Sequence, residues 1–127
     1  MKVIRESEFE IEVLQNPGKV LVDFYSDWCD SCRDQAPILE CLEDHLEGLN
    51  GEVEGIKFVK VNIDESLNLT ADYRIINIPT LFLFEGGKPV HRVVGLQWEN
   101  ELRKLLNGRG NGKKDEGGSS QYVNLEP

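Results

Sequence analysis

Two cysteines, Cys29 and Cys32, lie where an apolar run ends and a helical pattern begins. Thiols at this spacing on a first helical turn can form a disulfide with little movement of the backbone. The positive end of the helix dipole also favours a thiolate there. The same C-x-x-C spacing is half of many zinc sites. The pair alone therefore indicates either redox chemistry or metal binding.

A zinc site can be tested on the sequence, because Cys29, Cys32, Cys41 and His45 have the pattern C-x2-C-x8-C-x3-H. If residues 32–41 form one helix, the Cα atoms of Cys32 and Cys41 are roughly 13.5 Å apart. That separation is too large for ligands at about 2.3 Å from one metal. We therefore predict no metal site. We interpret Cys41 as a partly buried residue beside the apolar stripe of the helix rather than a regulatory thiol, and His45 as a helix-surface residue.

The elements that position the cysteines follow from hydrophobic periodicity. Residues 20–25 are mostly apolar, as in a strand buried on both faces, and apolar side chains recur at helical spacing after Cys29. Ser7 and Glu10 have the spacing of a capping box, and Pro37 is expected to kink the second helix. Strands are predicted at residues 2–5, 20–25, 56–63, 78–84 and 90–94. Helices are predicted to start near residues 7, 29, 67 and 98. A loop is predicted at residues 47–55 and a hairpin turn at residues 86–87. This order predicts an α/β fold with a mixed sheet and helices on both faces.

Asp23 is the anomaly within the central apolar strand. An acid in an interior strand is costly unless it is protonated, paired or solvated. This carboxyl group therefore needs a functional or structural explanation.

Length, charge and composition narrow the function classes. A chain of 127 residues that is 39% apolar is about the size of one domain. Its net charge of −9 argues against nucleic acid or an anionic membrane as partner. The first ten residues show no apolar stretch that resembles a signal-peptide core. No apolar run reaches the length of about 18 residues that spans a bilayer. Three cysteines, an odd number, fit a secreted disulfide scaffold poorly. We predict a cytoplasmic protein, with a domain at residues 1–107 and a disordered tail, rich in Gly, Asn, Lys and Ser, at 108–127.

Several motifs agree with one known family. They are Val22-Asp23-Phe24 before Trp28-Cys-x-x-Cys, Ala36-Pro37, Lys60-Val-Asn-Ile-Asp64, Tyr73, Ile78-Pro79-Thr80, Phe84, Gly87 and Val94-Gly95. Over residues 1–107 the chain resembles the thioredoxins, which implies the thioredoxin fold and a thiol–disulfide oxidoreductase that reduces protein disulfides. Asp30-Ser31 stands where the family usually has Gly-Pro, Asn77 stands where it usually has Gly, and the loop around residues 48–55 is longer than usual.

The resemblance implies roles for four residues. Cys29, the more exposed thiol, would attack the target disulfide, and Cys32 would resolve the mixed disulfide. Asp23 would act through a water as the base that deprotonates Cys32, and the charge of Lys60 would moderate its raised pKa. The alternatives are an inert or zinc-binding cysteine pair, an exposed acid at a sheet edge, and a solvated strand lysine.

The resemblance also implies a docking surface for the substrate. The Ile78–Pro79 bond would be cis and face the cysteines, and the Ile78 backbone would pair with an extended substrate segment. An apolar docking rim would surround the sulfurs, formed by Trp28, Ile78, Val94, Gly95 and Leu96. The alternatives are a trans proline that starts a strand and a Trp28 packed in the core.

Asp30 and Ser31 are the candidates for redox tuning. A carboxylate beside Cys29 disfavours its thiolate, so Asp30 should raise the pKa of that thiol and favour the oxidised form, and Asp30→Gly should lower the pKa. The effect of Ser31 on the redox balance stays open from the sequence. The absence of the family's proline loosens the turn, whereas the serine hydroxyl can donate a hydrogen bond to a thiolate. If Asp30 dominates, the reduction potential lies near the thioredoxin value of about −270 mV, against about −120 mV for an oxidase.

The expected partners are disulfide-containing proteins and a thioredoxin reductase, either NADPH-linked or ferredoxin-linked. Gly-rich dinucleotide-binding loops are absent from the sequence, so we predict no cofactor beyond the redox-active Cys29–Cys32 disulfide and a supply of electrons from another protein. We also expect a monomer. Two other functions stay open from sequence. They are a disulfide oxidase or isomerase on the same fold, and a non-catalytic binding or zinc module.

Overall fold

The computed structural model describes residues 1–48 and 55–107. These residues form five strands, β1 (Lys2–Ile4), β2 (Lys19–Tyr25), β3 (Ile56–Asn62), β4 (Thr80–Glu85) and β5 (Lys88–Val94). They also form three α-helices, α1 (Asp30–Gly48), α2 (Leu67–Asp72) and α3 (Glu99–Asn107). The predicted loop residues 49–54 and the predicted tail 108–127 lie outside the described residues.

The strands form one mixed sheet in the order β1-β3-β2-β4-β5. β2 pairs parallel with β3 and antiparallel with β4, and it is therefore the central strand. Asp23 of β2 lies opposite Lys60 of β3 on one side and Leu81 of β4 on the other. The mixed sheet was predicted correctly, and it places the acid in the middle of the molecule.

Alternate strand residues separate two hydrophobic cores, as the period of two in a strand requires. On one face, Val22 and its neighbours pack with Phe9, Val13 and Leu69, which come from the N-terminal segment and α2. On the other face, Leu21 and its neighbours pack with the apolar residues of α1 and α3, which are Leu39, Leu42, Leu46, Leu102 and Leu106. Helices therefore cover both faces, and α1 lies on the face toward which Leu21 and Asp23 point.

The first helical segment differs from the sequence prediction. Ser7 is not the N-cap, because the backbone N–H of Arg5 donates to the Glu8 carboxylate at 2.7 Å and the segment starts earlier. A 3-10 turn (Glu6–Glu8) is followed by a π-helical turn (Glu10–Leu14) rather than by one α-helix. A second 3-10 turn (Ile63–Glu65), which the sequence analysis missed, joins β3 to α2.

Several element boundaries also differ by one or two residues, and β5 begins at Lys88 rather than Val90. β4 begins at Thr80 rather than Ile78, since Pro79 has no N–H to give to a strand ladder. α1 contains Pro37 as predicted and continues through Gly48, two residues into the predicted loop. In the part of the chain that the structure describes, no helix is long and apolar enough to cross a membrane.

Candidate active site

Cys29 and Cys32 are joined in a disulfide at the start of α1, with their Cα atoms 5.2 Å apart. Cys29 is 7% exposed and Cys32 is 4% exposed, so the nucleophile predicted from sequence is only slightly more accessible. The backbone N–H of Cys32 donates to the Sγ atom of Cys29 at 3.1 Å. A donor at a helix start stabilises negative charge on the sulfur that receives it. This geometry favours a thiolate on Cys29.

Asp23 is buried in β2, on the face of the sheet that α1 covers. It is 1% exposed, and its two carboxylate oxygens have no hydrogen-bond partner among the described residues. Burial raises the pKa of Asp23 to about 7, and the positive charge of Lys60 opposes the rise. The alternative of an exposed edge acid is therefore wrong, and the group can take up or release a proton near neutral pH.

Lys60 is half-buried, with its Nζ atom 4.2 Å from the centroid of the Tyr25 ring. This cation–π contact holds the ammonium group on the same side of the sheet as its strand partner Asp23. The lysine therefore acts on the acid electrostatically.

The loop before β4 faces the disulfide. The Ile78–Pro79 peptide bond is cis, as predicted. The carbonyl oxygen of Ile78 lies 3.7 Å from the Sγ atom of Cys29. On the other side of the loop, the N–H of Gly95 donates to the carbonyl oxygen of Pro79 at 2.8 Å. The end of β5 is thus tied to the segment that lies opposite the cysteines.

The residues of the predicted docking rim are accessible to different degrees. Trp28 is 65% exposed, and its Nε1 atom donates to the Asp64 carboxylate at 2.8 Å, so the alternative of core packing is wrong. The other rim residues are half-buried, namely Ile78, Val94, Gly95 and Leu96. The sequence analysis missed Ile76, which is 83% exposed two positions before Ile78. An isoleucine in the loop between a short helix and a strand was the signal that could have found it.

The thioredoxin family model matches residues 1–108. Among curated proteins, thioredoxin 1 of Nostoc sp. (strain PCC 7120) is 42% identical over 103 residues, covering 81% of this chain and 91% of its own length. The thioredoxin of Rickettsia felis is 36% identical over 104 residues, covering 82% and 93%. The chain belongs to the thioredoxin family.

This membership and the paired cysteines make the chain a thiol–disulfide oxidoreductase with the activity of a protein-disulfide reductase. Thioredoxins in general act on disulfide substrates, are re-reduced by a thioredoxin reductase and work without a cofactor.

Asp30, the unusual residue between the cysteines, is exposed and forms an ion pair with Arg33. The Nη1 atom of the same arginine donates to the carbonyl oxygen of Asp27 at 2.9 Å. The sequence analysis missed Arg33, although an acid and a base three positions apart on a helix are a known pairing signal. The hydroxyl oxygen of Ser31 lies 3.7 Å from Cys29 Sγ, within hydrogen-bond range of a sulfur.

Cys41 is exposed and has a free thiol, so its interpretation as partly buried is wrong. It precedes Leu42 on α1 and points away from the apolar stripe that faces the sheet. Cys32 and Cys41 lie on this one helix, which keeps them too far apart to share a metal. His45 is a surface residue as predicted, and its Nδ1 atom lies 2.7 Å from the Glu99 carboxylate of α3.

Proposed function

We propose that this thioredoxin reduces protein disulfides with Cys29 as nucleophile and Cys32 as resolving cysteine. The Cys29 thiolate attacks one target sulfur, forming a mixed disulfide and releasing the other target sulfur as a thiolate. The Cys32 thiolate then attacks Cys29 Sγ, which forms the Cys29–Cys32 disulfide and releases the second target thiolate. The target gains two electrons and the protein loses two. The observation that carries this assignment is the Cys32 N–H that donates to Cys29 Sγ at 3.1 Å.

Asp23 is the base of the second step in this proposal. Cys32 must lose its proton before it can attack, and a buried carboxylate with a pKa of about 7 is suited to accept it at neutral pH. The proton is relayed through a water and then serves the departing thiolate. Lys60 keeps the pKa of Asp23 from rising further, because its positive charge favours the ionised carboxylate.

Substrate docking uses the backbone of Ile78 and the apolar rim around the disulfide. An extended target segment lies along the loop before β4, where the Ile78 carbonyl faces Cys29. Main-chain pairing of this kind depends little on the side chains of the target, so it suits a reductase with many substrates. Trp28, with its exposed ring and anchored Nε1 atom, covers one side of the docked segment.

The proposal extends to the cellular role of the protein, its electron donor and its domain organisation. A chain with a net charge of −9 suits a soluble electron carrier that maintains redox homeostasis in the cytoplasm as a monomer. Its electrons come from an NADPH-linked or ferredoxin-linked thioredoxin reductase. Residues 1–107 constitute the catalytic domain. The family match over residues 1–108 supports the domain boundary.

Reduction of insulin by dithiothreitol, followed as turbidity, tests the assignment of the two cysteines. The wild-type chain should accelerate precipitation, and Cys29→Ser should abolish the acceleration. Cys32→Ser, reduced beforehand and freed of dithiothreitol, should form a covalent adduct with insulin that added dithiothreitol releases, because the second step is blocked. Cys41→Ser is the matched control and should behave as wild type, since that thiol is exposed and lies outside the site. An adduct formed by Cys29→Ser instead would reverse the proposed roles.

A further inference from the structure

Gln35 is a fully buried polar side chain on α1, with 0% exposure. It lies three positions after Cys32, where a helix brings side chains to the same face. Its neighbours on that face, Leu39 and Leu42, are core leucines. Burying an amide is costly unless its donor and acceptor are both satisfied. An apolar residue would fill this position at lower cost, so the amide calls for a specific explanation.

Both ends of the Gln35 amide bind the backbone of a single residue, Gln97. The Nε2 atom of Gln35 donates to the carbonyl oxygen of Gln97 at 3.0 Å. The N–H of Gln97 donates to Gln35 Oε1 at 2.8 Å. A donor and an acceptor that meet one residue in this way fix both its distance and its orientation. The side chain therefore joins the catalytic helix to the segment between β5 and α3.

The contact continues from Gln97 to the loop that faces the cysteines. The Nε2 atom of Gln97 donates to the carbonyl oxygen of Gly95 at 3.1 Å. The N–H of Gly95 donates to the carbonyl oxygen of Pro79 at 2.8 Å. Ile78, the preceding residue, places its carbonyl oxygen 3.7 Å from Cys29 Sγ. Hydrogen bonds linked through the Gly95 backbone and the Ile78–Pro79 peptide thus connect α1 with the docking rim and with a carbonyl oxygen 3.7 Å from the disulfide.

We propose that Gln35 is a positioning residue, which fixes the Gly95–Leu96 part of the docking rim against the catalytic helix and so sets the affinity for extended protein disulfides. Gln35 contacts neither sulfur in the hydrogen bonds described, so it acts through Gln97 and Gly95. The reactivity of Cys29 depends on a separate donor, the N–H of Cys32. Binding of a protein substrate and thiol reactivity should therefore respond differently when the amide is lost. This inference rests on the proposed function of the cysteine pair.

Gln35→Met, which keeps the side-chain length and removes the amide, tests the proposal in the full chain. The KM for insulin should rise about three- to tenfold, as expected for losing one or two net hydrogen bonds. The kcat for insulin and the rates of Cys29 alkylation by iodoacetamide and of hydroxyethyl disulfide reduction should stay within about twofold of wild type. Amide hydrogen exchange of Gln97 and Gly95 should accelerate, while that of the β2 core should not.

Two further variants keep the test decisive. Leu42 is a core residue on the same face of α1. Leu42→Val should lower the stability of the protein without altering the docking rim, so the KM for insulin should be unchanged. Gln97→Ala removes only the bond to the Gly95 carbonyl from a half-buried position, and its KM should rise about twofold. If Gln35→Met does not fold, Gln97→Ala carries the test.

The proposal is overturned by an unchanged KM for insulin in the folded Gln35→Met variant or by an equal rise of that KM in Leu42→Val. It is also overturned if Gln35→Met loses the rate of hydroxyethyl disulfide reduction to the same extent. If Gln35→Met does not fold, an unchanged KM in Gln97→Ala overturns it. Failure of the wild-type chain to reduce insulin would instead refute the proposed function, so the two failures are distinct.

Discussion

At the scale of single residues, the buried Asp23 carboxyl makes stability depend on pH. Its pKa is about 7 in the folded chain, against an ordinary value of 3.8. Between these two values the folded state holds more protons than the unfolded state, so this group's contribution to stability falls as pH rises toward 7 and is constant above it. A group that destabilises the fold at neutral pH fits the chemical role proposed for Asp23 better than a structural one.

Asp23→Asn should therefore stabilise the protein, and the gain should grow with pH. The free-energy difference between variant and wild type should widen by about 3 kcal/mol between about pH 5 and pH 8, since each pKa unit corresponds to about 1.4 kcal/mol. Urea unfolding at both pH values measures it. The variant should also resolve mixed disulfides more slowly at neutral pH, because the base is lost. A gap that is constant with pH, or that narrows, would contradict the raised pKa.

The Arg33–Asp30 ion pair changes what Asp30 alone was expected to do. Its two charges lie on the exposed first turn of α1 beside Cys29. Because the arginine offsets the carboxylate, the Cys29 thiol experiences less of the negative charge than the sequence suggested.

Arg33→Gln should raise the pKa of the Cys29 thiol and slow its alkylation at neutral pH by roughly twofold, and Asp30→Asn should have the opposite effect. The double variant should return close to wild type. The pH profile of iodoacetamide alkylation measures all three, and high salt should shrink both single effects because the pair is exposed. Single variants that shift the profile in the same direction would show that the pair does not act by charge.

At the scale of elements, the turn between β4 and β5 depends on glycine. Gly86 and Gly87 have φ values of 59° and 81°, in the left-handed region that other residues enter at a cost. A Cβ atom on Gly87 would lie 2.2 Å from the carbonyl oxygen of Leu14, whereas one on Gly86 would meet nothing within 4 Å. At Gly87 the hairpin thus packs backbone to backbone against Leu14 of the N-terminal segment.

Gly87→Ala should therefore lower the free energy of unfolding by about 2 kcal/mol or more, and Gly86→Ala by only about 1 kcal/mol. Guanidinium unfolding midpoints compare the two. Cys29 alkylation should be unaffected in both, because the turn follows the end of β4 opposite to the Ile78–Pro79 segment that faces the cysteines. Equal losses in the two variants would mean that the contact with Leu14 does not matter.

The elements also show what the sequence can and cannot predict. Strand β2 and helix α1 were found because buried strands and amphipathic helices leave strong periodic patterns. The capping of the first segment by Glu8 was missed because Ser7 and Glu10 gave an equally good local pattern, and only tertiary packing decides between them. Cys41 was misplaced because one position on a helix separates a buried side chain from an exposed one.

The site follows the same rule. Cys29, Cys32 and Asp23 could be proposed because a motif and an acid in an apolar strand are visible in the sequence. Gln35 and Arg33 were missed because their partners, the Gln97 backbone and the Asp30 carboxylate, are defined only by the fold. A polar residue at a core position of a helix was the signal for Gln35.

At the scale of the whole molecule, the domain boundary depends on α3. Leu106 is fully buried, and its carbonyl oxygen accepts a hydrogen bond from Lys19 Nζ at 3.0 Å. The last turn of this helix is therefore part of the core.

A chain that ends at Asn107 should keep its unfolding free energy within about 0.5 kcal/mol and retain full insulin reduction. A chain that ends at Arg103 loses Leu106 and should be destabilised by several kcal/mol, roughly the cost of removing a buried leucine. Urea unfolding of the three chains makes the comparison. A comparable loss of unfolding free energy in the chain that ends at Asn107 would move the domain boundary beyond residue 107.

The most direct test of the account is the reduction potential of the Cys29–Cys32 couple, measured by equilibration with glutathione and with a thioredoxin standard. Arg33 offsets the Asp30 carboxylate, which is the departure from the family motif next to Cys29, so the couple should stay close to the family's potential. We expect a potential within about 30 mV of the thioredoxin value of about −270 mV. A potential near about −120 mV would identify an oxidant and contradict the account.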